Sequence, residues 1–261
     1  MSPVKDASTV VLLRDGDGGP EVFLLRRAAG MEFAGGMTVF PGGGVDATDA
    51  EADIAWVGPD VSWWARRYGV DEPRAQALVC AAVRETFEEC GVLLAGHTES
   101  STVDDTRPFA DDRRALERRE LSFAQFLTRH DLVLRSDLLR PWANWITPVG
   151  ERRRYDTRFF VAAVPEGQIA DGETSEADDV RWSTAGDALE TWRAGETVLL
   201  PPTWRQLRDL TEFGAVEDVL AQDRAVEPIM PTLVGEPGAI RVDFPDQDEY
   251  YSAVTHPWAA R

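Results

Sequence analysis

The run Asp71–Gly91, DEPRAQALVCAAVRETFEECG, most constrains the fold of this chain. Asp71 is a good N-cap, Pro73 suits a first helical turn and Gly91 can close the C-terminus, so the spacing predicts one long helix. At about 100° per residue, Glu85, Glu88 and Glu89 share a face with Arg84 at its edge, and Val79, Val83, Phe87 and Cys90 fall opposite. One side is built to bury and the other concentrates negative charge. Two carboxylates about 6 Å apart at an effective dielectric of about 20 repel by roughly 3 kcal/mol. Such a cluster stays ionised only if water screens it, Arg pairs with it or a cation binds it. A solvated helix face is the plain alternative.

A second feature lies upstream, Phe40-Pro41-Gly42-Gly43-Gly44, following the strand-like run Met37–Phe40. Three glycines permit a tight turn and close approach of backbone to a ligand. Together, the glycine turn and Arg84-Glu85-Thr86-Phe87-Glu88-Glu89-Cys90-Gly91-Val92 resemble the Nudix box. That pattern is Gly, five residues, Glu, seven residues, then Arg-Glu-apolar-x-Glu-Glu-x-Gly-apolar. Two departures stand out besides Thr86 at the usually aliphatic position. The box Glu falls on Asp49, and 41 positions separate Gly43 from Arg84 where the pattern has 14. About 27 residues, roughly 50–76, are therefore inserted. A box interrupted in this way resembles the long-insert coenzyme A diphosphatases of peroxisomes and their bacterial relatives. Arg140–Pro148, Arg154–Phe160 and Leu200–Trp204 resemble the same branch.

The resemblance implies an α/β fold, a Nudix α/β/α sandwich with a mixed β-sheet, extended by C-terminal helices. It implies metal-dependent hydrolysis of a nucleoside diphosphate linked to another group. Mg²⁺ or Mn²⁺ would be held by Glu85, Glu88, Glu89 and the Gly42 carbonyl, with Arg84 orienting a glutamate. Glu85 would be a further ligand or a general base. In several members a Glu six positions before a Trp completes the metal site; Glu176 stands so before Trp182, with Glu173, Asp178 and Asp179 as competitors. Arg27, Gly43 and Arg158 are expected to contact substrate. Coenzyme A or acyl-coenzyme A is the leading substrate, although Glu32 occupies a slot where the family signature carries Arg and Met37 replaces its Gln. ADP-ribose or NADH is the alternative. A non-catalytic nucleotide sensor is disfavoured, because such proteins commonly lose box carboxylates and this chain keeps them.

Composition sets the remaining bounds. A chain of 261 residues with 43 % apolar content suits one domain, with a helical extension near 200–224 and an irregular tail over 225–261. Net charge of −19 argues against a nucleic-acid partner, which would need a basic surface. No apolar run approaches the roughly 20 residues of a membrane span, and MSPVKDAS carries no signal core; cytoplasm is the expectation. Lys5 is the only lysine, a bias fitting a GC-rich, actinobacterial coding genome. A homodimer is compatible with the resemblance.

Strands are expected at Ser8–Leu13, Glu21–Arg26, Met37–Phe40, Val92–Leu94, Trp142–Thr147 and Arg158–Val164. Helices are expected at Asp112–Leu121, Ser122–His130 (with Ser122 and Gln125 in capping-box register), from Thr184, and at Thr203–Phe213. In the insert, Val61–Tyr68 reads as a short helix, either a surface decoration or a wall over the cleft. Trp142 and Trp145 read as core or cleft wall, with base stacking as the alternative.

Overall fold

The computed structural model describes residues 3–30, 34–50, 54–236 and 241–252. Glu32 lies outside the described residues. Before the long helix come β1 (Val4–Gly16), β2 (Gly19–Arg27), β3 (Thr38–Val39), β4 (Gly42–Gly44), α1 (Ala47–Ala50), β5 (Trp56–Val57) and α2 (Val61–Tyr68). The predicted helix is α3 (Glu72–Cys90). It is followed by β6 (Ala95–Gly96), α4 (Ala110–Glu117), α5 (Phe123–Arg129), β7 (Val133–Arg135), β8 (Arg140–Ile146), β9 (Arg154–Ala163) and β10 (Ala177–Thr184). The chain continues through α6 (Ala185–Arg193), α7 (Pro201–Leu210), α8 (Val216–Leu220), β11 (Pro228–Ile229), β12 (Thr232–Val234), β13 (Arg241–Asp243) and α9 (Gln247–Ser252).

The main sheet runs β10-β2-β1-β9-β8-β11, with β3 on β2 and β4 on β1. It is mixed, because β1 pairs with β9 in parallel while β2, β4 and β8 join antiparallel. The run Val10–Leu13 is buried on both faces, as its unbroken apolar sequence requires. Val10 and Leu12 pack on the α3 side with Phe87 and Phe160. Val11 and Leu13 pack on the other side with Trp192 and Trp204 of α6 and α7. Helices thus cover both faces, the α/β/α sandwich expected. No helix among the described residues is long and apolar enough to cross a membrane.

Local signals hold well where they are self-contained. Asp71 caps α3 by accepting the Arg74 N–H at 2.9 Å, and Gly91 closes it at φ 70°. Ser122 and Gln125 form the reciprocal capping box of α5. Thr184 caps α6 through the Asp187 N–H. By contrast, Val92–Leu94 is not a strand. The Leu93 N–H and C=O are taken by the Gln168 side chain at 2.8 and 2.9 Å, which substitutes for a neighbouring strand until β6.

Two expectations need correction. The insert is neither a surface decoration nor a cleft wall. Trp64 is fully buried, tilted against Phe160 at 5.6 Å and stacked on Tyr68 at 6.2 Å, so α2 supplies core to the α3 face. Truncating Trp64 to alanine is expected to cost about 3–5 kcal/mol in a denaturant titration. A cost under about 1 kcal/mol would return the insert to the surface. The described residues of the tail also carry regular elements, β11, β12, β13 and α9. Phe244 and Tyr250 are buried against Trp204, and the Tyr250 hydroxyl donates to Leu199 O at 2.8 Å.

Candidate active site

The site opens where β1 changes partners. Its far half pairs with β2, from Leu13 to Gly16, and its near half pairs with β4, from Ala7 to Thr9. The backbones of β1 and β4 touch so closely at Gly42 that a Cβ there would lie 2.4 Å from Ser8 O. Glycine is therefore obligatory at that position. The glycine turn is set against α3. Gly42 donates its N–H to Glu89 Oε2 at 2.7 Å, and a Cβ on Gly43 would fall 2.6 Å from the Glu85 carboxyl group. Gly43, Glu85, Arg27 and Glu176 all line one cleft of about 740 Å³. Arg27 Nη2 bonds Glu176 Oε2 at 2.9 Å, joining β2 to the loop before β10. Among the competing acids, Asp178 instead accepts the Ala29 N–H at 3.3 Å, and neither it nor Glu173 or Asp179 lines the cleft.

Arg84 organises the carboxylates. It is 5 % exposed and bonds Asp49 through two nitrogens, each at 3.0 Å. Its third nitrogen reaches Glu85 at 2.7 Å and Glu88 at 3.2 Å. A bond to Gly44 O at 2.9 Å ties the same guanidinium to the glycine turn. Asp49 is thus the carboxylate that anchors Arg84 from its place in the box, and α1 is the element that brings this short side chain within reach. The solvated-face alternative fails, since Glu88 and Glu89 are 9 % and 4 % exposed.

Burial pushes the Glu85 carboxyl group up to about 8, with Glu88 and Glu176 adding repulsion and Arg84 opposing it. Burial also raises Glu88, and raises Glu89 well above the ordinary range, where Glu85 adds repulsion. Burial works against the Arg84 cation, but Glu85, Asp49 and Glu88 outweigh it and hold its pKa above the usual arginine value. These directions say that the cluster is short of positive charge. Its donors are hard carboxylate oxygens, which suit a divalent cation. Each carboxylate is nevertheless held by a protein donor, and among the described residues no three His, Cys, Asp or Glu side chains converge as a closed metal site.

A stability consequence follows. Between the ordinary glutamate value of 4.5 and about 8, folded Glu85 keeps a proton that the unfolded chain has released. Metal-free protein should therefore lose thermal stability as pH rises through that window. A Glu85→Gln variant should show a flatter profile. Equal slopes in scans with EDTA would refute the assignment.

Not every expected residue meets here. Arg158 is 3 % exposed, paired with Asp156 and set over the Tyr68 ring, because strand alternation turns it to the α2 face. It is not a cleft residue. Thr157 and Phe159, its neighbours on β9, line the cleft together with Tyr155. That set was legible as a period of two once the inward parity was known. Glu88 lines a different cavity, beside Arg84 and Asp46. Trp145 walls the cleft, whereas Trp142 is buried beneath the Arg224 guanidinium at 3.7 Å. Pro231 and Val242 of the tail also contribute wall, and no local signal marked them.

Residues 59–210, which include the glutamates of α3 and Glu176, match the family model described as the NUDT19 Nudix domain. The chain belongs to the Nudix family. It is 25 % identical over 236 residues to an acyl-coenzyme A diphosphatase NUDT19 of Xenopus laevis, covering 76 % of this chain and 62 % of that protein. The Gallus gallus protein of the same name is 29 % identical over 250 residues, with 79 % and 66 % covered. This Nudix protein therefore spans less than two thirds of the length of those relatives. A crystal structure of a Nudix hydrolase from Alicyclobacillus acidocaldarius superposes with a TM-score of 0.74 at 30 % identity, covering 86 % of this chain and 99 % of that one.

Proposed function

We propose that this Nudix protein is a divalent-metal-dependent hydrolase that cleaves the diphosphate of coenzyme A or an acyl-coenzyme A, giving phosphopantetheine or its acyl form and adenosine 3′,5′-bisphosphate. The observation that carries the reading is the meeting of Glu85, Glu176 and the glycine turn at one cleft, in a chain similar to proteins named acyl-coenzyme A diphosphatases. The cleft volume of about 740 Å³ is in the range of nucleotide and cofactor sites. Phe40, Trp145 and Phe159 give it an apolar wall against which an adenine or a pantetheine arm can pack.

Glu85, Glu89 and Glu176 would supply the hard oxygens for Mg²⁺ or Mn²⁺, and Glu88, on the other side of Arg84, would join them only for a cation reaching its own cavity. When bound, the cation neutralises diphosphate oxygens and makes water more acidic. The chain's own groups do the positioning. Arg84 fixes Glu85 and Glu88, the Gly42 N–H fixes Glu89, and Arg27 holds Glu176 at the cleft edge. A cation bound there would offset the burial that raises Glu85, leaving its carboxylate placed to accept a proton.

The test is incubation with Mg²⁺ or Mn²⁺ and a panel of coenzyme A, acetyl-coenzyme A, ADP-ribose and NADH, with products identified by mass. Phosphopantetheine and adenosine 3′,5′-bisphosphate, lost on adding EDTA, are the expected products. AMP from ADP-ribose or NADH with coenzyme A untouched would overturn the substrate. Nucleotide binding without any cleavage would favour a sensor.

A further inference from the structure

Arg119 ends the α4 turn in a conformation that an arginine adopts at a cost. Its φ is 57°, in the left-handed region, where its N–H bonds Leu116 O at 2.7 Å and stops the helix as a glycine ordinarily would. Its side chain is nevertheless long, charged and 78 % exposed, and it meets Asp46 at 3.3 Å. Arg119 lines the catalytic cleft and also a neighbouring cavity of about 650 Å³ beyond Gly44. Tyr155 and Gly44 border both, so the two cavities abut at these residues.

The second cavity also contains Lys5, the only lysine in the sequence. Lys5 makes no ion pair among the described residues. The third cation there, Arg74, is already committed, at 2.9 and 2.5 Å to Asp6 and at 2.9 Å to Asp156. The Asp6 charge is cancelled by the same contacts. Among the described residues only Asp46 pairs with Arg119, through a solvent-screened contact of the kind that contributes little. A chain of net charge −19 thus keeps two loosely held cations lining one cavity beside its candidate active site.

We infer that Lys5 and Arg119 form a second anion subsite, which takes a phosphate carried on the nucleotide away from the diphosphate to be cleaved. The inference rests on the proposed function, since coenzyme A carries such a phosphate on its ribose. It assigns recognition of that group to the β1 start and the α4 stop, whatever residue stands at position 32.

The test is equilibrium binding of adenosine 3′,5′-bisphosphate and of AMP to the full chain, by calorimetry. The wild type should bind the bisphosphate about tenfold tighter or more, the ordinary effect of a charge-assisted phosphate contact. Arg119→Ala and Lys5→Ala should each remove most of that preference, and added salt should weaken it. Arg118→Ala, at the exposed neighbour paired with Glu120, should leave it unchanged. Arg119→Gly separates this role from a helix stop. Glycine accepts the left-handed φ, so the melting temperature should rise while the preference falls. Equal wild-type affinities, or a preference that survives in Arg119→Ala and Lys5→Ala, would overturn the inference. A preference that behaves as expected in a protein that leaves coenzyme A intact would defeat the catalytic reading and uphold the subsite.

Discussion

Glu89→Gln is expected to reduce turnover by about a hundredfold or more at saturating Mg²⁺ or Mn²⁺, with the fold intact. The amide oxygen of glutamine can still accept the Gly42 N–H that the Glu89 carboxylate accepts at 2.7 Å, so the glycine turn stays docked on α3. What disappears is a negative charge in a place where burial and Glu85 already disfavour it. Removing it should leave thermal stability in the metal-free protein equal to or above that of the wild type. Loss of activity with gained stability marks a group kept for chemistry, and circular-dichroism melts beside steady-state rates would establish both halves. Near wild-type turnover would remove Glu89 from the machinery and leave Glu85 and Glu176 to carry it. A large drop in melting temperature would show instead that the carboxylate is structural.

The contrast between Glu89 and its surroundings shows what a sequence can and cannot disclose. The caps of α3 depend on residues a few positions apart, and the structure has them as expected. For Arg84 the resemblance implied the orienting of a glutamate, and the structure has its guanidinium on Glu85 and Glu88. Its two-nitrogen partner, Asp49, was legible only as a shortened box residue, because the insert hides the spacing. The insert itself misleads, since Trp63 and Trp64 give the same local signal whether they face solvent or core. The deciding contact is with Phe160, far along the chain. Arg158 was misplaced for a different reason. Alternation along β9 is evident, but which parity faces the cleft is set by β1 and α3 rather than by β9. The tail was unreadable because Phe244 and Tyr250 find their burial against residues far back along the chain, Trp145, Trp192 and Trp204.

Asp49→Asn should be the most damaging single change to stability at the site. Asp49 is 1 % exposed and binds Arg84 bidentately, while its Oδ2 also accepts the Asp46 N–H at 2.9 Å. Removing one partner of a buried ion pair typically costs about 3–5 kcal/mol, since the remaining charge is stranded. Arg84 would retain Glu85 and Glu88, which places the expected cost near the lower end, about 3 kcal/mol. Activity should fall as well, because the guanidinium that fixes Glu85 also holds Gly44 O, and a shift toward the glutamates would disturb the glycine turn. The double variant Asp49→Asn with Arg84→Met distinguishes the causes in a thermodynamic cycle. If the stranded cation is responsible, removing it should recover part of the lost stability but none of the lost activity. Additive losses would locate the cost in packing around α1. An Asp49→Asn protein within about 1 kcal/mol of wild type would mean that the pair is weak and that α1 is held by other contacts.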